Sequence, residues 1–139
     1  MSQEPIPFAT PEWVAAFKAA INASAGYREA ARTWEGDFWF ILEPEKEGDR
    51  RVLMYVDLWH GECRAAELAE TEDGRTPEFR IAAPLRQWKR VITREIDPIR
   101  ALVTGALKLQ GNLAKIMRNV RAAQELVLCA ASVPTRFET

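Results

Sequence analysis

The chain has 139 residues, the length of one ordinary domain. Its 19 lysines and arginines balance 20 aspartates and glutamates, which argues against a general nucleic-acid binder because that class is clearly basic. Two cysteines argue against a disulfide scaffold, and no run of about 18 apolar residues is available to cross a membrane. We therefore expect one cytoplasmic domain with no secretory signal and no nucleic-acid partner.

The first third of the chain is predicted to be helical after an extended arm. Residues 1–9 contain two prolines and are expected to form a loose, extended arm. Thr10-Pro11-Glu12 is typical of a helix start, and apolar residues at three- and four-residue spacing continue the helix through Asn22. A break is predicted at Gly26, followed by a short second helix over 27–33.

A β meander is predicted next. Aromatic and β-branched residues favour strands over 35–42 and 51–59, which form an antiparallel hairpin around a polar turn. A third strand is expected over 61–69, and a short fourth strand over 78–82 follows a second turn.

The last third returns to helix. One helix is predicted to open at Pro84 and another at Asp97-Pro98. A fifth strand over 106–110 precedes the longest helix, over 113–130, and a polar tail over 131–139. This order predicts an α+β fold in which helices pack on a mostly antiparallel sheet.

A family resemblance lies in the segment DPIRALVTGALKLQGNLAKIMRNV, residues 97–120. Asp97-Pro98 begins a small apolar helix, residues 105–112 form a turn, strand and turn, and residues 113–117 open the last helix. This pattern resembles the C-terminal signature of the sterol carrier protein type 2 domain, although Lys115 lies one place earlier than the family spacing.

The resemblance covers residues 34–125 of a single predicted domain over residues 10–130. It implies a five-stranded sheet with helices on one face and an apolar tunnel between the two layers. It also implies non-catalytic binding and transfer of a hydrophobic ligand, such as a fatty acid, a fatty acyl-CoA or a sterol-like lipid. No cofactor is implied.

Strand alternation assigns the apolar residues to faces. Phe38 and Phe40 share one side of the first strand, and Met54 and Val56 share one side of the second, so we expect both sets to face the helices. For any single residue, ordinary close packing is the commoner role; the family resemblance favours a cavity for the set. The candidate tunnel lining is Phe38, Phe40, Met54, Val56, Trp88, Ile92, Leu102, Val103, Leu113, Met117 and Val120.

The opposite face of the same strands is unexpectedly apolar. It carries Trp39, Ile41, Leu53, Tyr55 and Trp59, whereas a sheet face in water is normally polar. Two explanations stay open. Either a homodimer forms through Trp39, Tyr55 and Trp59, or the N-terminal helix or residues 1–9 cover the patch.

A cluster of basic residues precedes and enters the helix at Asp97. The commoner role for such a cluster is a helix face exposed to solvent. The functional alternative is transient contact with an anionic membrane or with a CoA phosphate. The cluster consists of Arg86, Lys89, Arg90, Arg94 and Arg100.

Few side chains are available for chemistry. A nucleophilic site would need the one histidine, His60, which forms only an isolated H-x-x-C fragment with Cys63. We expect His60 to be structural or at the surface, Cys63 and Cys129 to be packing thiols, and no metal site or catalytic residue to be present.

Two rival functions remain. An enzyme acting on a hydrophobic substrate would need an acid or base, and a strongly shifted carboxyl pKa inside a pocket would favour it. A partner-binding or dimerisation module would have a filled interior. The candidate acids and bases for the enzyme are Asp37, Asp57, Glu67 and Glu95.

Overall fold

The computed structural model describes residues 4–137 as seven strands and six helices. Among residues 4–137, none of the helices has the length and hydropathy of a membrane-spanning segment. The strands are β1 (Ile6–Pro7), β2 (Glu35–Glu43), β3 (Val52–Trp59), β4 (Glu62–Ala69), β5 (Phe79–Pro84), β6 (Lys108–Gln110) and β7 (Thr135–Arg136). The helices are α1 (Pro11–Ala23), α2 (Ala25–Ala30), α3 (Leu85–Ile92), α4 (Pro98–Thr104), α5 (Leu113–Met117) and α6 (Val120–Ser132).

The main sheet has five strands in the order β4-β3-β2-β5-β6. The predicted hairpin of β2 and β3 is confirmed, with Phe38 opposite Val56. β5 runs parallel to β2, whereas the other three pairings are antiparallel, so the sheet is mixed. The predicted α+β class with five strands is therefore confirmed, and the strand alternation places Phe38 and Val56 in the core beneath the helices.

The connection from β4 to β5 crosses the outer face of the sheet. β4 ends where Ala69 pairs with Leu53, near the far end of β2, but β5 must begin beside Phe38 to run parallel to β2. The connecting residues therefore travel back along the sheet. Arg75 in this connection lies with its guanidinium 4.5 Å from the centre of the Tyr55 ring.

The crossing connection explains the apolar outer face. Trp39, Ile41 and Leu53 are buried in the single chain. Ile6, Phe8, Ala9 and the apolar residues of α1 pack in the core on the helical side, and the β4–β5 connection covers the outer face. Trp59 remains 39% exposed beside Arg64. The exposed patch from which a homodimer was predicted is therefore absent in the described residues, and the homodimer stays a prediction.

The N-terminal and C-terminal segments of the described chain pair with each other. β1 pairs in parallel with β7, the Ile6 amide donates to the Pro134 carbonyl at 2.8 Å, and the Phe8 ring packs 5.4 Å from that of Phe137. Residues 6–8 are therefore held against the C-terminal segment rather than loose, and within them Ile6–Pro7 form an extended strand. Residues 1–3 of the predicted arm and 138–139 of the predicted tail lie outside the described residues.

The first helix begins as predicted and the second does not. Thr10 caps α1 by accepting a hydrogen bond from the Trp13 amide at 3.2 Å. The break before α2 falls at Ser24, which caps α2 in the same way, and Gly26 lies inside the helix. A Cβ at Gly26 would lie 2.9 Å from a carboxylate oxygen of Glu125 in α6, so this flexible side chain would have to move aside for a larger residue.

The predicted long helix over 113–130 is two helices. The chain leaves the helix at Arg118 and Asn119, where the Asn119 side-chain amide donates to the Lys115 carbonyl at 2.8 Å. A short polar side chain that forms a hydrogen bond with a nearby backbone group competes with the hydrogen bonds that would continue the helix. Because α5 and α6 are separate helices, the apolar residues before the break and those after it do not lie on one helix face.

The turn at Gly61 offers a test of how β3–β4 packs on α2. Gly61 and Gly74 both have left-handed backbones, at φ 82° and φ 85°, but a Cβ at Gly61 would lie 2.7 Å from the Arg28 carbonyl oxygen, whereas nothing lies within 4 Å at Gly74. We expect Gly74→Ala to lower the free energy of unfolding by about 1 kcal/mol and Gly61→Ala by about 3 kcal/mol. Urea unfolding measures both, and equal costs would contradict the close approach to α2.

The Tyr55 hydroxyl offers a test of the outer face by pH. Burial, then its hydrogen bond to Asp37 at 2.7 Å, raises the pKa of Tyr55 to about 12. A raised pKa means that folding favours the protonated phenol, so this stabilisation is complete below about pH 10 and is lost as pH rises from about 10 towards 12. In a Tyr27→Phe variant, tyrosinate absorbance reports Tyr55 alone. We expect native ionisation near pH 12 and ionisation near pH 10 in urea; a native midpoint near 10 would contradict the covered face.

Candidate functional site

An apolar cavity of about 130 Å³ lies between the sheet and the helices. The sheet contributes large apolar side chains from every second residue of its central strands. Its members on this side are Phe38, Phe40, Leu42, Val52, Met54, Leu58 and Ile81.

The helical side of the cavity combines large and small residues. α1 and α3 contribute Trp13, Phe17 and Trp88. α6, by contrast, turns three alanines towards the same space, together with Leu126 and Val127. Because an alanine does not reach the facing side chains, the space between α6 and the sheet is left unfilled. The alanines are Ala122, Ala123 and Ala130.

Aromatic contacts hold the sheet side of the cavity in place. The Phe38 ring stacks on Phe40 at 5.0 Å and on Phe79 at 5.1 Å between ring centres. Trp88 meets Phe40 edge-on at 5.8 Å, and its indole N–H donates to the Ile41 carbonyl at 2.9 Å. A buried indole with a fixed hydrogen bond has little freedom to turn into the cavity.

The residues of the family-like segment position the helices around this wall. Asp97 caps α4, and Gly105 ends it with a left-handed backbone. Lys115 in α5 donates to the Glu35 carbonyl at 2.6 Å and to the Glu78 carboxylate at 2.8 Å. The ammonium group also lies 4.8 Å from the Trp34 ring centre, so Lys115 joins α5 to the sheet.

Polar groups are sparse in the cavity wall. Apart from backbone and indole groups, the wall contains the Tyr27 phenol and the Asn119 amide. Burial raises the pKa of Tyr27 above its usual value, and the nearby thiols add to the effect. The two free cysteines, Cys63 and Cys129, are buried outside this wall. Burial raises the pKa of both thiols, that of Cys63 to about 11. Such a wall suits an apolar ligand.

Six of the eleven residues predicted to line a tunnel lie in the cavity wall: Phe38, Phe40, Met54, Trp88, Ile92 and Leu102. The structure places the other five elsewhere. Val56 is buried in the core behind the wall, Leu113 and Val120 are half-buried, and Val103 and Met117 are 60% and 44% exposed. The helix break at Arg118 and Asn119 explains the outward position of Met117. Leu102 and Val103 are successive residues of α4, so their side chains point about 100° apart around the helix and only Leu102 faces the cavity.

Sequence reasoning did not assign several wall residues. The stripe containing Trp13 and Phe17 was visible, but nothing in the sequence indicated which layer α1 would meet. Alanines such as Ala123 give no signal of their own, because a small residue has the same pattern in a filled core and beside a void.

The carboxylates considered for catalysis lie outside the cavity wall. Asp37 accepts from the Tyr55 hydroxyl at 2.7 Å. Asp57 pairs with Arg64 at 3.0 Å, Glu67 with Arg75, and Glu95 with Arg90 at 3.8 Å. Hydrogen-bond donors lower the pKa of Asp49 and of Glu72, two carboxyl groups that also lie outside the cavity wall.

His60 and part of the basic cluster have surface partners. An imidazole nitrogen of the exposed His60 lies 2.6 Å from a Glu35 carboxylate oxygen, in agreement with the predicted surface role. Arg86 pairs with Glu45 at 2.8 Å, whereas Arg94 and Arg100 form no ion pair with residues 4–137. The cluster is therefore not one uniform solvated face.

Known proteins match both the sequence and the fold. The sequence model of the SCP-2 sterol transfer family matches residues 17–124. A crystal structure of sterol carrier protein 2 is 36% identical, with 91% of this chain and 98% of that chain covered and a TM-score of 0.83. A conserved hypothetical protein from Thermus thermophilus, described as a candidate sterol carrier protein, is 34% identical, with 96% and 94% covered and a TM-score of 0.83.

A more distant match extends the fold comparison. Apo sterol carrier protein 2 from Yarrowia lipolytica is 14% identical, with 95% of this chain and 99% of that chain covered and a TM-score of 0.60, and it supports the fold alone. No curated protein matches the chain in sequence. Family match and fold agree with the resemblance found in residues 97–120, and the chain belongs to the SCP-2 sterol transfer family.

Proposed function

We propose that this protein binds and transfers a hydrophobic ligand in the cavity between sheet and helices, without chemical conversion. Family membership supports lipid binding or transfer in general. The observation that carries the proposal is the unfilled apolar space opposite α6, since protein interiors are normally close-packed. The ligand classes considered are a fatty acid, a fatty acyl-CoA and a sterol-like lipid.

The driving force is the transfer of apolar surface out of water. Each buried methylene contributes about 0.8 kcal/mol, so a short alkyl segment is sufficient for measurable binding. The cavity of about 130 Å³ is smaller than the roughly 300–1,000 Å³ typical of ligand pockets. A long ligand therefore requires helices to move apart.

We assign the movement to α4 and α5, the short helices of 7 and 5 residues that carry the exposed Val103 and Met117. In this proposal, the six wall residues from the predicted set contact the bound ligand. Val103, Leu113, Met117 and Val120 flank the route by which it enters, and Val56 supports the wall from behind.

Two further expectations concern partners. Transient contact with an anionic membrane would use the helical end, where Arg94 lacks an ion pair among residues 4–137. A homodimer through Trp39, Tyr55 and Trp59 no longer has an exposed patch to favour it, because the β4–β5 connection covers most of that face. A sedimentation experiment at tens of micromolar distinguishes monomer from dimer.

A cavity-filling substitution tests the proposed site. Ala123 lines the cavity from α6, and Ala131 in the same helix is exposed. We expect Ala123→Leu to weaken displacement of a fluorescent fatty-acid analogue at least about tenfold, because the added carbons exclude roughly two ligand methylenes. Ala131→Leu is the matched control and is expected to stay within about twofold of wild type, a difference of about 0.4 kcal/mol.

Urea unfolding of both variants separates loss of binding from loss of folding. Filling an existing cavity is expected to leave the stability of Ala123→Leu equal to or above that of wild type. A folded Ala123→Leu variant that binds the analogue as tightly as wild type would overturn the proposed site.

A further inference from the structure

Arginines without partners are concentrated at one end of the molecule. Most arginines of the described chain have a carboxylate or carbonyl partner, as Arg64 has Asp57 at 3.0 Å. The arginines that form no ion pair, side-chain hydrogen bond or ring contact with residues 4–137 are Arg50, Arg94, Arg100, Arg118 and Arg121. All of these except Arg50 lie between the end of α3 and the first turn of α6.

Two of these arginines share a groove. The groove, of about 400 Å³, lies between the α3–α4 loop and α6, and both Arg94 and Arg121 line it. Three of its residues also line the apolar cavity, so they form the boundary between a polar groove and an apolar space. These shared residues are Val91, Pro98 and Val127.

The backbone at Arg94 is unusual for an arginine. Its φ is 66°, at the position after the α3 cap where glycine is usual. The turn is closed by the Glu95 amide donating to the Arg90 carbonyl at 2.8 Å and by the Arg94 amide donating to the Val91 carbonyl at 3.1 Å. These bonds involve only backbone, and glycine would form them with less strain. The arginine side chain is therefore not needed for the turn.

The acidic residues of the groove are turned to other partners. Asp97 accepts from the amides of Ile99 and Arg100 at 2.8 and 3.3 Å, and its second oxygen accepts from the Gln124 amide at 3.1 Å. The Glu125 carboxylate lies against Gly26 of α2. Both carboxylates still oppose an anion electrostatically, but neither forms an ion pair with Arg94 or Arg121.

We propose that this groove binds the anionic head group of an amphiphile, a carboxylate or a phosphate, while the apolar part of the same molecule passes Pro98 and Val127 into the cavity. The inference rests on the proposed function, because it assigns the polar end of the same ligand. Arg94 and Arg121 supply charged hydrogen-bond donors, which bind oxyanions more strongly than neutral groups do. Neutral sterol-like ligands gain nothing from this groove.

The test compares head groups on one alkyl chain. Binding of dodecanoate, dodecyl phosphate and dodecanol to the full chain is measured by calorimetry at physiological ionic strength. Dodecanoate is ionised, both anions are kept below micelle formation, and dodecanol is kept below its solubility limit. We expect each anion to bind about tenfold more tightly than dodecanol. Added salt should reduce this ratio, because exposed charges are screened. Inorganic phosphate alone should bind far more weakly than dodecyl phosphate.

Variants assign the preference to the two arginines. Arg94→Gly and Arg121→Gln should each reduce the ratio of dodecanoate to dodecanol affinity severalfold, and Arg94→Gly should also raise the urea midpoint, because glycine relieves the left-handed backbone. Arg118→Gln removes an equally unpaired, exposed arginine outside the groove and should leave the ratio unchanged.

The possible failures are distinct. If dodecanol binds as tightly as dodecanoate, or if Arg118→Gln lowers the ratio as much as the groove variants do, the head-group site is wrong and the proposed function stands. If inorganic phosphate binds as tightly as dodecyl phosphate, the groove is a free anion site with no connection to the cavity. If none of the three alkyl compounds binds, the proposed function fails, and the head-group site fails with it.

Discussion

The gap between α6 and the sheet determines the interior of this protein, because α6 packs on the other helices and meets the sheet only across the cavity. Large rings line up along β2, where Phe38 and Phe40 stack, and the helix that faces them presents Ala122 and Ala123. Rings held by stacking cannot collapse into the space left by small side chains, so the space persists as a cavity. Val127 of α6 lines both the apolar cavity and the neighbouring groove, so the polar groove lies directly beside the cavity.

The sheet topology isolates this interior from the other face. Because β5 runs parallel to β2, the chain must cross the sheet between β4 and β5, and it does so over Trp39 and Tyr55. The crossing buries an apolar surface that two of the sheet's strands would otherwise expose. The cavity therefore lies wholly on the helical side of the sheet, where short helices such as α4 border it.

Local features were predictable from the sequence, and non-local ones were not. Thr10 and Asp97 were recognised as helix caps because a cap depends on a few neighbouring residues, and the faces of β2 and β3 follow from strand alternation. The cover over Trp39 was missed because it depends on a parallel pairing between distant strands. The helix break at Asn119 was missed because apolar spacing continues across it. Six of the eleven predicted lining residues therefore lie in the wall, whereas Leu113, Met117 and Val120, which lie on α5 and at the start of α6, do not.

Uptake of an apolar ligand into the space opposite α6 can be measured by native mass spectrometry of the full chain with straight-chain alcohols of increasing length. We expect one bound alcohol per chain, with the binding free energy improving by about 0.8 kcal/mol per methylene until the cavity is filled and the helices must separate. Absence of a bound alcohol at every length, or adducts of variable number that grow only with alcohol concentration, would contradict uptake into this space.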